Sequence, residues 1–232
     1  MDKQPVYRQE LKFRVSRADR ELLLRRLSAA LTPDAHGKNG VYTVRTLYFD
    51  TVYDDALRES MAGECEKVKY RLRMYDLDET YLRMEKKVKR SAGGYKIGAL
   101  LTRAECEKLI SGDCAFLAQK GDPFLTECYA QRQNGGLRPR EIVSYTRAAF
   151  VCRQGNVRIT VDSDIRACRF ADAFFAPKLG GAPVTAEDAA VLEVKFDRFL
   201  PDFIPHLVGI GDRELQAFSK FALGSMYALD SE

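Results

Sequence analysis

The residues with most capacity for chemistry in this sequence are charged side chains that recur at every second position along short runs. Glu10 and Lys12 stand two apart, as do Arg71 and Arg73, Glu85, Lys87 and Lys89, Tyr145 and Arg147, Arg158, Thr160 and Asp162, and Glu193 and Lys195. Positions i and i+2 of a β-strand share a face, so each run gathers its charges on one side. The other faces carry Leu11 and Phe13, Leu72 and Met74, Ile159 and Val161, and Leu192, Val194 and Phe196. Guanidinium forks match phosphate oxygens bidentately and lysines act as point charges. Carboxylates suit Mg²⁺ or Mn²⁺. The cations Lys12, Arg71, Arg73, Lys87, Arg147, Arg158 and Lys195, set among Glu10, Glu85, Asp162 and Glu193, fit a polyphosphate or nucleoside triphosphate with its metal.

One such strand is ordinary: an apolar face on the core and a charged face in water. Six together predict something else. A sheet closed into a barrel, with helices packed outside on its apolar face, brings the charged faces into the interior. Unpaired interior charge is expensive, so such a lumen needs water and a ligand of opposite sign.

The elements that must position these residues are legible from local pattern. Residues 7–15 read as a strand, and Ser16 with Asp19 caps a helix to about Leu31, striped by Leu22, Leu23, Leu27 and Leu31. The loop TPDAHGKNG leads into the strand TVRTLYFDT, and a short helix follows over 52–62. KVKYRLRMYD and ETYLRMEKKVKR form a hairpin of basic strands about Asp76, Leu77, Asp78 and Glu79. A turn at Ser91 to Gly94 precedes a strand over 95–101, and Thr102 with Glu105 forms a capping box for a helix over 103–111. Another helix is predicted over 122–133. Beyond NGGLRPR come the strands EIVSYTRAAFVC, NVRITVDSDIRAC and AAVLEVKFDRF, and then an amphipathic helix over 212–228 with Leu215, Phe218, Phe221 and Leu223.

The chain has 232 residues with 46% hydrophobic and 30% charged, enough for a sizeable core, and a single domain over 1–232 is the simplest expectation. A net charge of +4 is too small for a general nucleic-acid binder, so no specific nucleic-acid partner is expected. The six cysteines form no CxxC pair and, with only two histidines, no zinc signature. They read as reduced thiols. The N-terminal residues lack a signal-peptide core and no run approaches a membrane span, which predicts a cytoplasmic protein and leaves a membrane-bound partner open. GGYKIG lacks the ending of a phosphate-binding P-loop.

Taken in order, ELKFRV, LYFDT, YRLRMY, MEKKVK, SYTRAAF, VRITVDSDI, VLEVKF and FSKF make the sequence resemble the VTC-type polyphosphate polymerase domains of the triphosphate tunnel metalloenzyme (CYTH-like) superfamily. The resemblance spans nearly the whole chain. It implies an α+β fold, a mostly antiparallel eight-stranded β-barrel forming a triphosphate tunnel with flanking helices. By motif, Lys12, Arg71, Arg73, Lys87, Arg147 and Arg158 look like the catalytic phosphate-binding residues and Glu193 like the metal ligand. Ser219 and Lys220 match FSKF at a tunnel mouth, while Lys96 and Tyr145 join Lys195 as substrate-binding positions. The family's Leu-Glu-x-Lys pattern appears here as Met84, Glu85, Lys86 and Lys87, so Lys87 rather than Lys86 faces inward by parity alone.

The implied activity is transfer of the ATP γ-phosphoryl group to a polyphosphate chain with Mn²⁺ or Mg²⁺ as cofactor, and ATP, triphosphate and polyphosphate as partners. Two alternatives use the same residues: a triphosphate hydrolase of the superfamily, and a non-catalytic polyphosphate-binding module. Carboxylates on the basic face favour an enzyme, because they repel an anion and serve a metal.

Overall fold

The computed structural model describes residues 9–90, 93–184, 189–210, 213, 215 and 219–229. In chain order the elements are β1 (Gln9–Val15), α1 (Arg17–Ala30), β2 (Thr32–Pro33), β3 (Val41–Asp50), α2 (Asp55–Met61), β4 (Lys67–Tyr75), β5 (Leu82–Arg90) and β6 (Gly93–Leu101). Then follow α3 (Arg103–Ser111), α4 (Ala115–Gln119), α5 (Pro123–Gly135), β7 (Arg138–Cys152), β8 (Val157–Cys168), β9 (Ala182–Pro183), β10 (Ala190–Phe196), α6 (Phe203–Val208) and α7 (Lys220–Leu229).

Eight strands hydrogen-bond in the order β1-β10-β8-β7-β3-β4-β5-β6, while the two-residue β2 and β9 pair with β7 and β8. Every described register is antiparallel. The expected antiparallel, helix-flanked α+β fold is therefore what the chain adopts. Closure is the difference: among the described residues the hydrogen-bonded path ends at β1 and at β6.

The chain divides into two compact units, each assembled from separated segments. The first takes its residues from Met1–Thr43, Tyr145–Ile165 and Thr185–Phe218. Its core sets Leu23 and Leu27 of α1 with Phe13, Phe150, Ile159, Leu192, Val194 and Ile204. Ser16 starts α1 by accepting a hydrogen bond from the Asp19 amide at 3.2 Å. Leu22, expected in the apolar stripe, is instead 46% exposed, because its position falls off the arc that Leu23 and Leu27 share.

The second unit takes Val44–Ser144, Arg166–Val184 and Ser219–Glu232. Its core joins Leu47, Phe49, Leu72, Met74, Leu82 and Met84 to Leu109, Leu117, Leu125 and Phe174. The hairpin of β4 and β5 turns through Asp76 and Leu77, both at positive φ, and the Asp78 carboxylate accepts from the Thr80 amide at 2.8 Å. Thr102 and Glu105 form the predicted capping box of α3. Asp122 caps α5 through the amides of Phe124 and Leu125, with Pro123 preset for the first turn. The short helices α4 and α6 have no counterpart in the sequence reading.

The last helix starts later than its apolar pattern predicts: α7 begins at Lys220, and Leu215 is 61% exposed outside it. Ser219 accepts from the Ala222 amide at 3.2 Å in the first turn of α7. Tyr7, Ser91, Asp212 and Phe218 lie outside the described residues. All six cysteines are unpaired thiols, as expected.

Leu27 is fully buried between α1 and its sheet. Leu27→Ala should lower unfolding free energy by about 2–5 kcal/mol, read as a lower urea midpoint with an unchanged slope.

Candidate functional site

In the first unit the charges of three neighbouring strands interlock. Across β1 and β10, Glu10 faces Lys195 and Lys12 faces Glu193; across β10 and β8, Glu193 faces Thr160 and Lys195 faces Arg158. Lys12 pairs with Glu10 at 2.6 Å, and Lys195 forms an ion pair with Glu193. Glu193 is only 5% exposed. The hydroxyl of Thr160, directly across the ladder, is buried and has no hydrogen-bond partner. Arg147 donates fork to fork, from Nε and Nη2 to the two oxygens of fully buried Asp162 at 2.6 and 2.7 Å, with its guanidinium over the ring of Tyr145. Arg158 donates from Nε to Asp34 at 2.9 Å and from Nη2 to the Tyr42 hydroxyl at 2.7 Å. The cations Lys12, Arg147, Arg158 and Lys195 are thus matched by Glu10, Asp162, Asp34 and Glu193.

The second unit gathers its cations around a single buried carboxylate. Three cross-strand rows run over β4, β5 and β6: Lys69, Lys87 and Lys96; Arg71, Glu85 and Gly98; Arg73, Arg83 and Leu100. Glu85 is 1% exposed and sits at the centre. Arg71 reaches it from Nε and Nη2 at 2.8 Å each, Lys96 at 2.8 Å, Arg83 at 3.8 Å and Arg73 at 3.9 Å. Burial would raise its pKa, but the surrounding Arg71, Arg73 and Lys96 hold the carboxyl down at about 2. Gly98 is required opposite it, since an added Cβ would lie 2.7 Å from Arg83 Nε and 2.8 Å from the Met84 carbonyl oxygen. Arg73 also donates to Thr46 at 3.1 Å. At the end of the lysine row, Lys69 donates to the Ser219 hydroxyl at 3.0 Å and lies over Phe221, so the start of α7, with Lys220, borders this face. Lys86 points the other way and pairs with Glu127 at 2.5 Å, which settles the parity question in favour of Lys87.

Residues 7–229 match the VTC domain family. The chain belongs to that family. Among solved structures this VTC domain is similar to a putative adenylyl cyclase from Hippeastrum, described as having a dominant triphosphatase activity, at 14% identity and TM-score 0.54 over 94% of this chain and 95% of that one. It is also similar to a putative adenylate cyclase from Bacillus halodurans at 16% identity and TM-score 0.51, covering 88% and 90% of the two chains. At these identities the likeness concerns the fold. No curated protein matches the sequence.

Parity within the VTC domain strands could have found Lys69 and Arg83, which share faces with Arg71 and Glu85, but they do not appear in the family motifs. Asp34 lies in a loop, where no periodicity points to it. Glu141 is a further addition, at the parity of Tyr145 and Arg147 on β7 and in the second unit. It is 1% exposed, neither oxygen completes a hydrogen bond, and an added Cβ on Gly224 of α7 would stand 2.9 and 3.0 Å from its two oxygens. Burial pushes this carboxyl up to about 8, only partly offset by Ser225, Arg140, Arg169 and Lys69. No group of three or more His, Cys, Asp or Glu gathers as a metal cage among the described residues.

Glu141 therefore holds a proton in the folded chain that the unfolded chain releases near the ordinary Glu value. Its contribution to stability is full below about pH 4.3 and is lost as pH rises through about 8. Glu141→Gln should remove that slope, leaving the variant more stable than the parent at pH 9 by roughly 2–4 kcal/mol, with the advantage gone at pH 4. Urea titrations at the two pH values check this.

Proposed function

We propose that this chain is a metal-dependent polyphosphate polymerase that moves the γ-phosphoryl group of ATP to the end of a polyphosphate chain. The observation behind this reading is the row Lys69, Lys87 and Lys96 beside the guanidinium groups of Arg71, Arg73 and Arg83. Like charges placed opposite one another cost ladder stability, yet six cations gather here around the buried carboxylate of Glu85. Such a concentration of guanidinium and ammonium groups suits a run of phosphates. Membership of the VTC domain family supports triphosphate chemistry as the setting.

In the transfer, a terminal oxygen of the polyphosphate attacks the γ-phosphorus, the bond from that phosphorus to the β–γ bridging oxygen breaks, and ADP leaves with the electron pair. No protein nucleophile is needed. The arginines and lysines hold donor and acceptor in line and neutralise charge on the equatorial oxygens. Burial pushes the Cys106 and Cys128 thiols up to about 12, which leaves them unsuited to attack.

A divalent Mn²⁺ or Mg²⁺ would supply charge neutralisation and orientation of phosphate oxygens when bound. The chain's donors fit such a hard ion at Glu193, where the unpartnered Thr160 hydroxyl lies across the ladder and Glu10 lies two pairs further along, on the same face. Glu85 and Asp162 were counted with the metal ligands on sequence grounds. Their oxygens meet Arg71 and Lys96 and Arg147, while Glu10 and Glu193 meet the ammonium groups of Lys12 and Lys195, so a metal at any of the four would exchange with a cation, and the Thr160 hydroxyl favours Glu193.

A second reading, triphosphate hydrolysis, draws support from the Hippeastrum neighbour and its described triphosphatase activity. Incubation with ATP and Mn²⁺, resolved by gel and phosphorus NMR, separates the two: polymer with ADP establishes the polymerase, and orthophosphate alone establishes the hydrolase. Glu193→Gln should lower metal-dependent turnover by at least about 100-fold while leaving metal-free triphosphate binding in place; unchanged turnover removes Glu193 from the metal site.

A further inference from the structure

Arg158 differs from the other guanidinium groups in how it is held. Arg147 meets Asp162 fork to fork, and Arg71 gives both Nε and Nη2 to Glu85. Arg158 instead gives Nε to one carboxylate oxygen of Asp34 and Nη2 to the Tyr42 hydroxyl. Two different groups from two different parts of the first unit thus clamp one edge of the guanidinium, and the donors of Nη1 point away from that clamp.

The loop that supplies Asp34 is built to a fixed shape. Asp34 donates its amide to the Ala149 carbonyl at 2.9 Å, and the Ala149 amide donates to the Gly40 carbonyl at 2.8 Å, so one residue of β7 ties both ends. Gly37 and Gly40 both have positive φ, and an added Cβ would stand 2.3 Å from the Val41 carbonyl oxygen or 2.6 Å from that of Ala149. The Asp34 carboxylate also accepts from the His36 amide at 3.2 Å and meets the His36 ring at 2.7 Å. Its side chain is 10% exposed. Burial alone would raise its pKa, yet the hydrogen bonds from His36 and Arg158 bring the carboxyl to about 2, so it stays anionic.

We propose that Asp34, assisted by Tyr42, is a positioning residue that aims Arg158 at a phosphate of the substrate. The inference rests on the triphosphate reading above and adds a loop residue to it. Fixing the clamped edge removes the rotamer freedom that a bare arginine would lose on binding. It also makes the sign of a charge change informative. Deleting the Asp34 carboxylate leaves the first unit more positive, which by charge alone tightens polyanion binding. Loss of aim weakens it.

The test measures tripolyphosphate affinity by calorimetry at fixed ionic strength for the parent, Asp34→Ala, Asp34→Asn, Tyr42→Phe and Arg158→Ala. Asp34→Ala should bind roughly tenfold more weakly, whereas Asp34→Asn, with the same charge change but an acceptor oxygen retained, should lose clearly less. Tyr42→Phe, which changes no charge, should weaken binding a few-fold and serves where the Asp34 variants fail to fold. Equal or tighter binding by both Asp34 variants, or an unaltered affinity in Tyr42→Phe, overturns the proposal. A parent whose affinity matches that of Arg158→Ala overturns the role of Arg158 in phosphate binding, and the role of Asp34 falls with it.

Discussion

Charge register across the ladders is the constraint on which the rest of this structure depends. Strands that bury Glu85 in one unit, and Asp162 and Glu193 in the other, to within a few per cent of full enclosure are stable only if each carboxylate meets cations at hydrogen-bonding distance. Antiparallel pairing supplies those distances automatically, because residues directly opposite stand about 5 Å apart. A slip of one residue in β10 would carry Glu193 and Lys195 to the apolar side and Val194 to the charged side. The apolar and the charged patterns therefore specify the same register twice.

The two units use this constraint differently, and two buried carboxyls show how much the surroundings decide. Glu85 and Glu141 are equally enclosed, both on sheet strands of the second unit. Glu85 is ringed by guanidinium and ammonium groups and stays ionised. Glu141 has Gly224 nearby, no completed hydrogen bond, and keeps its proton. Burial is common to both; only around the first do the cations outweigh it.

Much of this was legible in the sequence because strand parity is a strict rule. The runs at Glu10 and Lys12, Arg71 and Arg73, and Glu193 and Lys195 all place their charges as alternation requires, and Lys87 is separated from Lys86 by parity alone. Capping residues were equally readable, since Ser16 and the Thr102–Glu105 box act within three residues of themselves. What sequence could not yield depends on distant chain. Asp34 matters through Arg158, which is 124 positions away, and Glu141 through α7. The late start of α7 follows from where Ser219 can cap, while the apolar pattern upstream is compatible with a longer helix.

The matched ion pairs of the first unit also bear on how ionic strength acts. There Lys12, Arg147, Arg158 and Lys195 already have carboxylates as resident counter-ions, so under the proposed function an arriving phosphate would exchange with groups belonging to the chain itself and liberate few ions into solvent. The Lys69, Lys87 and Lys96 row instead sets like charges opposite one another across three strands, which leaves it the more sensitive to mobile ions in the buffer. Under that function, rising salt would act mainly on the row of like charge, and the paired cluster would keep a grip set by the fold more than by the medium.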